Sequence, residues 1–142
     1  MYSKFLVIVQ FTLIAAIVQY CGFPFYNPYL VSIGMLGGMI GVLAIFTMRL
    51  NNLRVQPIPK PNAELITSGI YNYIRHPMYS SVLLLMLPFI LHSIETKSLL
   101  LYCLLVITLI VKLRYEERLL IQKFVSYSEY MKRTYRLIPF IF

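Results

Sequence analysis

The stretch FLVIVQFTLIAAIVQYC, from Phe5 to Cys21, and the stretch YLVSIGMLGGMIGVLAIFTM, from Tyr29 to Met48, decide the fold. From Phe5 to Met48 there is no Asp, Glu, Lys or Arg. Only Gly22, Pro24, Asn27 and Pro28 interrupt the apolar run, which makes a short turn between two antiparallel helices. Runs of this length and polarity match the hydrocarbon thickness of a bilayer. The whole chain agrees: 59% of its 142 residues are hydrophobic and only 13% charged. The mean hydropathy is +0.73, more apolar surface than a soluble domain of this size can bury. The expectation is an all-α integral membrane protein forming a single domain, with a two-helix hairpin over 1–48 and a second unit over 49–142. The start resembles a signal peptide, but only Lys4 precedes the apolar run and no small-x-small cleavage site closes it, so the first segment reads as a retained helix.

Two further apolar segments follow. One runs from about Met78 to Ser93 with Pro88 inside it, where a proline kinks a helix and frees a carbonyl. The other, from Ser98 to Val111, is short for a bilayer and needs the stems of Lys97 and Lys112 to reach the two interfaces. Beyond it Leu120, Phe124, Tyr127, Met131 and Tyr135 recur at helical spacing among Arg118, Gln122, Lys123, Glu129, Lys132 and Arg133. That pattern predicts a C-terminal amphipathic helix, a continuation of the fourth span that lies on or folds back to the membrane surface, after about four transmembrane helices. The second span carries Gly34, Gly37, Gly38 and Gly41, two overlapping GxxxG patterns that suit close helix packing.

The net charge of +8 is carried on two stretches. The central segment holds Arg49, Arg54, Lys60 and Arg75 against Glu64, and the C-terminal tail is basic. The positive-inside bias therefore predicts both termini and the central loop in the cytoplasm. Basic residues dispersed beside apolar spans point to anionic headgroups or an anionic substrate and not to nucleic acid. Cys21 and Cys103 form no CxxC or Cys/His cluster, so neither a disulfide nor a metal site is expected.

Polar chemistry is concentrated in two places. Gly69 to Tyr79 holds Tyr71, Tyr73, Arg75, His76 and Tyr79 at the mouth of the third span. An aromatic belt with a snorkelling arginine accounts for such a cluster, and so does a site. The second cluster, Lys112-x-Arg114-x-Glu116-Glu117, closes the fourth span. A hairpin of spans three and four brings the two together. Lys112 and Glu116 share a helix face, while Glu116 and Glu117 point about 100° apart. A carboxylate near several cations at a helix leaving lipid suits a cationic ligand. His92, near the far end of span three, reads as an interfacial histidine.

Leu65 to Tyr71 followed by Arg75-His76-Pro77-x-Tyr79 resembles the signature of the isoprenylcysteine carboxyl methyltransferase family and its phospholipid-methyltransferase relatives. So does the order Lys112, Glu116-Glu117, Leu120, Phe124, Tyr127, Tyr130, Arg136, Pro139. The resemblance implies an S-adenosyl-L-methionine-dependent methyltransferase acting on a membrane-resident, amphipathic or lipidated acceptor. It implies cofactor contacts from Ala63, Glu64, Leu65, Ile66, Tyr71, His76, Pro77, Met78, Tyr79 and Glu116. Lys112 or Arg75 would meet an isoprenylcysteine-type carboxylate. Were the acceptor an amine, Glu117 or His76 would take its proton. Lys112 stands where the family usually has arginine, Ser81 where it commonly has glycine, and Phe124-Val125 where it has Phe-Gly. The alternatives left open are an aminolipid N-methyltransferase, an NADPH-dependent enzyme like the sterol reductases, and a non-enzymatic lipid-binding subunit.

Overall fold

The computed structural model of the chain describes residues 2–24, 26–48 and 65–141. All regular elements there are helical: α1 (Tyr2–Cys21), α2 (Pro28–Met48), a 3-10 turn (Gly69–Asn72), α3 (Pro77–His92), α4 (Thr96–Lys123) and α5 (Tyr127–Lys132). Three of them, α1, α2 and α4, are long and apolar enough to cross a membrane. α3 is apolar but has only 16 residues.

α3 lies at the centre. α2 packs along it on one side, while α1 packs against α4 and α3 on the other. Ile17 and Cys21 of α1, Met86 and Ile90 of α3, and Leu105 and Leu109 of α4 form the buried apolar core. In lipid such a core is held by close packing, since the tails outside are as apolar as the side chains. The glycines of α2 supply that closeness. A Cβ on Gly37 would lie 2.9 Å from the Leu85 backbone nitrogen, and one on Gly41 would lie 2.5 Å from the Ser81 hydroxyl. Ser81 completes the seam by donating to the Gly37 carbonyl at 2.7 Å. Gly38 faces open space, so of the two overlapping patterns only the one from Gly37 to Gly41 makes the contact. Ser81 thus belongs to the α2–α3 seam.

Pro77 starts α3 at a position where a missing N–H costs nothing. Pro88 is buried within the helix. It leaves the Leu84 carbonyl without its usual helical partner. The Tyr102 hydroxyl of α4 donates to the adjacent Leu83 carbonyl at 3.1 Å, tying the two helices there. The turn after α3 is closed by a capping box, with Glu95 at the cap and Ser98 at the third helical position.

The fourth apolar segment does continue into the charged stretch, as one 28-residue helix about 42 Å long, but two expectations are corrected. Lys112 does not snorkel outward from it: the side chain is 2% exposed and turns into the bundle. The amphipathic helix expected through Tyr135 stops at Lys123, where Phe124 turns extended (φ −121°, ψ 114°). Only the single turn and a half of α5 follows. Backbone pairing elsewhere wins over helical propensity in this tail. Ile74 and Tyr135 form a parallel bridge, with Arg75 N–H donating to the Tyr135 carbonyl at 2.8 Å and Tyr135 N–H to the Tyr73 carbonyl at 2.9 Å.

Candidate functional site

The pairing of 73–76 with the tail fixes the first polar cluster. Gly69 opens the 3-10 turn at φ +58°, a left-handed conformation that favours glycine. A Cβ there would also strike Thr47 of α2 at 2.9 Å. The turn directs Tyr71 inward, where it is buried, whereas Tyr73 stays exposed. The Tyr130 hydroxyl donates to the Tyr71 carbonyl at 2.5 Å, and Ser80 donates to the Leu137 carbonyl at 2.6 Å. Burial pushes the Tyr130 phenol up to about 12 and raises Tyr71 further, with Glu116 adding to the rise, so both remain protonated in neutral solution.

Arg75 is gripped by the protein. Its Nε donates to Glu117 Oε1 at 2.8 Å, and its Nη1 donates to the carbonyls of Met131 and Thr134 and to the Thr134 hydroxyl. Glu117, with a side chain 5% exposed, also receives Arg136 Nε at 3.1 Å and lies 3.5 Å from His76 Nε2. That imidazole nitrogen is near enough for charge attraction but makes no hydrogen bond. The Tyr127 hydroxyl is another buried polar atom with no partner among the described residues.

Glu116 differs from its neighbour. Its side chain is 28% exposed. Among the described residues, the Tyr79 hydroxyl at 2.8 Å and His76 Nδ1 at 3.7 Å both meet Oε2. His76 and Tyr79 stack with centroids 5.4 Å apart and planes 3° from parallel. Lys112 Nζ lies 5.2 Å from the centre of the Tyr79 ring and donates to Gln10 Oε1 at 2.7 Å. The line Glu116, Tyr79 and Lys112 therefore joins a partly open carboxylate to a buried ammonium through one aromatic ring.

The structure brings together Tyr71, Arg75, His76, Tyr79, Lys112, Glu116 and Glu117. Pro77 is buried and Met78 and the flanking Leu65 and Ile66 are half-buried. Ala63 and Glu64 lie outside the described residues. Arg114 is exposed on another face of α4 and His92 is exposed at the end of α3, so neither joins the cluster. Sequence reasoning missed Gln10, Tyr130, Thr134 and Arg136 as partners. Gln10 carried a signal, being an amide in the middle of an apolar run; Thr134 and Tyr130 acquire their roles only through the fold of the tail.

The donor set is acidic and aromatic at one end and cationic at the other. It fits a ligand with a positive amino group and a sulfonium beside an anionic partner, since aromatic faces and a carboxylate both favour cations. Helices long enough to cross a membrane, with a polar site where the last of them loses its apolar character, define the class: a helical membrane enzyme with its chemistry between spans. Residues 29–122 match the isoprenylcysteine carboxyl methyltransferase (ICMT) family, and the chain belongs to it. It is an S-adenosylmethionine-dependent methyltransferase whose acceptor is of the membrane-resident isoprenylcysteine type. No curated protein and no solved structure matches the chain. The family match ends before α5 and begins after α1, so the tail grip and Gln10 are features of the fold outside it.

Proposed function

We propose that the cofactor lies between the segment from Leu65 to Tyr79 and the Lys112–Glu117 turn of α4, and that the acceptor's head is a carboxylate. The observation that carries this is Glu116: a carboxylate with Oε2 fixed by Tyr79 and Oε1 unengaged among the described residues, beside stacked His76 and Tyr79 rings. S-adenosylmethionine supplies the methyl group as an alkyl sulfonium. Glu116 receives the amino group of its methionine part, and Tyr71, Tyr79 and His76 wall the sulfonium. Leu65, Ile66, Pro77 and Met78 line the apolar remainder.

Lys112 holds the acceptor's anion. Methyl transfer between a cationic donor and an anionic acceptor cancels charge and needs no base, so the chain's contribution is alignment and exclusion of water. An amine acceptor would need a proton removed, and Glu117, the other acid of the cluster among the described residues, is committed to Arg75 and Arg136. The buried Lys112 ammonium would also repel a cationic head. Arg75 and Glu117 act as positioning residues in this scheme and not as acceptor contacts, because Arg75 Nε and Nη1 are both bonded to protein.

α3 crosses the bilayer with α1, α2 and α4, giving four crossings with both termini and the site on the cytoplasmic side. The Lys/Arg bias supports that orientation. The test is calorimetry of S-adenosylhomocysteine on purified protein. Glu116→Gln is expected to weaken binding by ~1.5–3 kcal/mol, the range for a charge-assisted hydrogen bond. Wild-type affinity in folded Glu116→Gln and His76→Ala variants would remove the site. Radiolabel from the cofactor should appear in a farnesylated cysteine derivative; label only in phosphatidylethanolamine would replace the carboxylate by an amine.

A further inference from the structure

Lys112 is an ammonium almost wholly removed from solvent, with no carboxylate within ion-pair distance among the described residues. The nearest acid along its helix, Glu116, has its facing contacts made through Tyr79. The direct contacts of Nζ are neutral, Gln10 Oε1 at 2.7 Å and the face of Tyr79 at 5.2 Å, and the Glu116 carboxylate acts on it from beyond ion-pair distance. A buried cation satisfied only by neutral partners is costly, and the cost falls when an anion arrives. An ammonium has three donors, so hydrogen bonds remain for that anion.

Gln10 is buried too, at 6% exposed, on the α1 face that meets α4. Lysine has no acceptor, so the amide must turn its oxygen to Nζ. Its NH2 group then points away from the lysine, and no partner engages it among the described residues. The pair therefore offers two unlike donors, an ammonium and an amide N–H, separated by the width of the amide. A lone lysine is a point charge; a second donor with its own direction lets a site take both oxygens of a carboxylate and so tell it from its ester.

We propose that Gln10 of α1 is a specificity-determining residue that forms, with Lys112, a two-donor fork for the acceptor's carboxylate. One carboxylate oxygen takes Nζ and the other takes Gln10 Nε2. Once methylated, the group loses its charge and binds the fork poorly, which favours release of the ester. This inference rests on the carboxylate reading of the acceptor.

The experiment is a binding comparison in purified, detergent-solubilised protein with S-adenosylhomocysteine present. The ligands are an S-farnesylated cysteine derivative with a free carboxylate and its methyl ester. Wild-type protein is expected to prefer the acid. Gln10→Leu should reduce that preference about tenfold, as expected for one charge-assisted hydrogen bond, while S-adenosylhomocysteine affinity is unchanged. Gln10→Met, which keeps the chain's length and burial, is the second variant if leucine prevents folding. Adding Lys112→Arg to either variant should restore part of the preference, because a guanidinium brings its own fork. If the wild type prefers the acid and both Gln10 variants keep the full preference, the fork is overturned and the carboxylate reading stands. If the wild type shows no preference, both fall. A Gln10 variant that weakens acid and ester equally assigns Gln10 to packing and also overturns the proposal.

Discussion

Arg75 opens its family motif, yet its guanidinium faces the protein's own tail. Through Glu117, Met131 and Thr134 it holds α4, α5 and the 73–76 segment in one register. Removing it leaves Glu117 buried with a weaker counterion and frees two carbonyls. Breaking one side of a buried pair costs ~3–5 kcal/mol. Arg75→Met should therefore lower the thermal unfolding midpoint strongly and expose the bond after Arg133 to trypsin. Lost cofactor affinity with unchanged stability and protection would make Arg75 a ligand contact after all. Residue types at the site were legible in the sequence, because arginine, histidine and paired glutamates beside lipid demand partners. Which partner each one takes was not. Adjacent Glu116 and Glu117 look equivalent in a string, and only the tail's path makes one an anchor of the fold and leaves the other open.

At the scale of elements, the apolar runs announced the helices, and a glycine pattern announced a close contact. The pattern did not say which glycines touch, since Gly34, Gly37, Gly38 and Gly41 read alike. Distances separate them, and they make a paired expectation. Gly37→Ala places a methyl group against the backbone of α3, which must move, so a loss of ~1–3 kcal/mol is expected for this overpacking. Gly38→Ala meets nothing and gains helix propensity, so its stability should equal or exceed wild type. Thermal unfolding of the two variants in one detergent decides the matter, and equal destabilisation would contradict the seam. The C-terminal stripe misled for a physical reason. Leu120, Phe124, Tyr127, Met131 and Tyr135 have helical spacing, but the backbone groups of 73–76 offer the tail hydrogen bonds from another part of the chain. Local periodicity carries no trace of such a partner.

For the whole molecule, the site exists because both ends of the chain converge on the α3–α4 hairpin. α1 delivers Gln10 to Lys112, and the tail delivers Tyr135, Arg136 and Leu137 to 73–80. This convergence has a topological consequence that can be checked. If α3 crosses despite its 16 residues, Asn72 in the 3-10 turn before it and Lys97 at the start of α4 lie on opposite sides of the membrane. A single cysteine at each position, with Cys21 and Cys103 replaced by alanine, reports this with an impermeant maleimide on intact cells. Position 97 should label from outside, and position 72 only after the membrane is opened. The lysine bias alone predicts the same outcome, but the structure adds a reason for α3 to manage the crossing. Its short apolar length is flanked by Pro77, where the tail supplies the hydrogen bonds, and by the capped turn at Glu95, so neither end presents unsatisfied backbone to lipid. Labelling of 72 and 97 from the same side would mean that α3 re-enters without crossing. The site would then sit between leaflet and water on a different footing, with its acceptor reaching it from the other face.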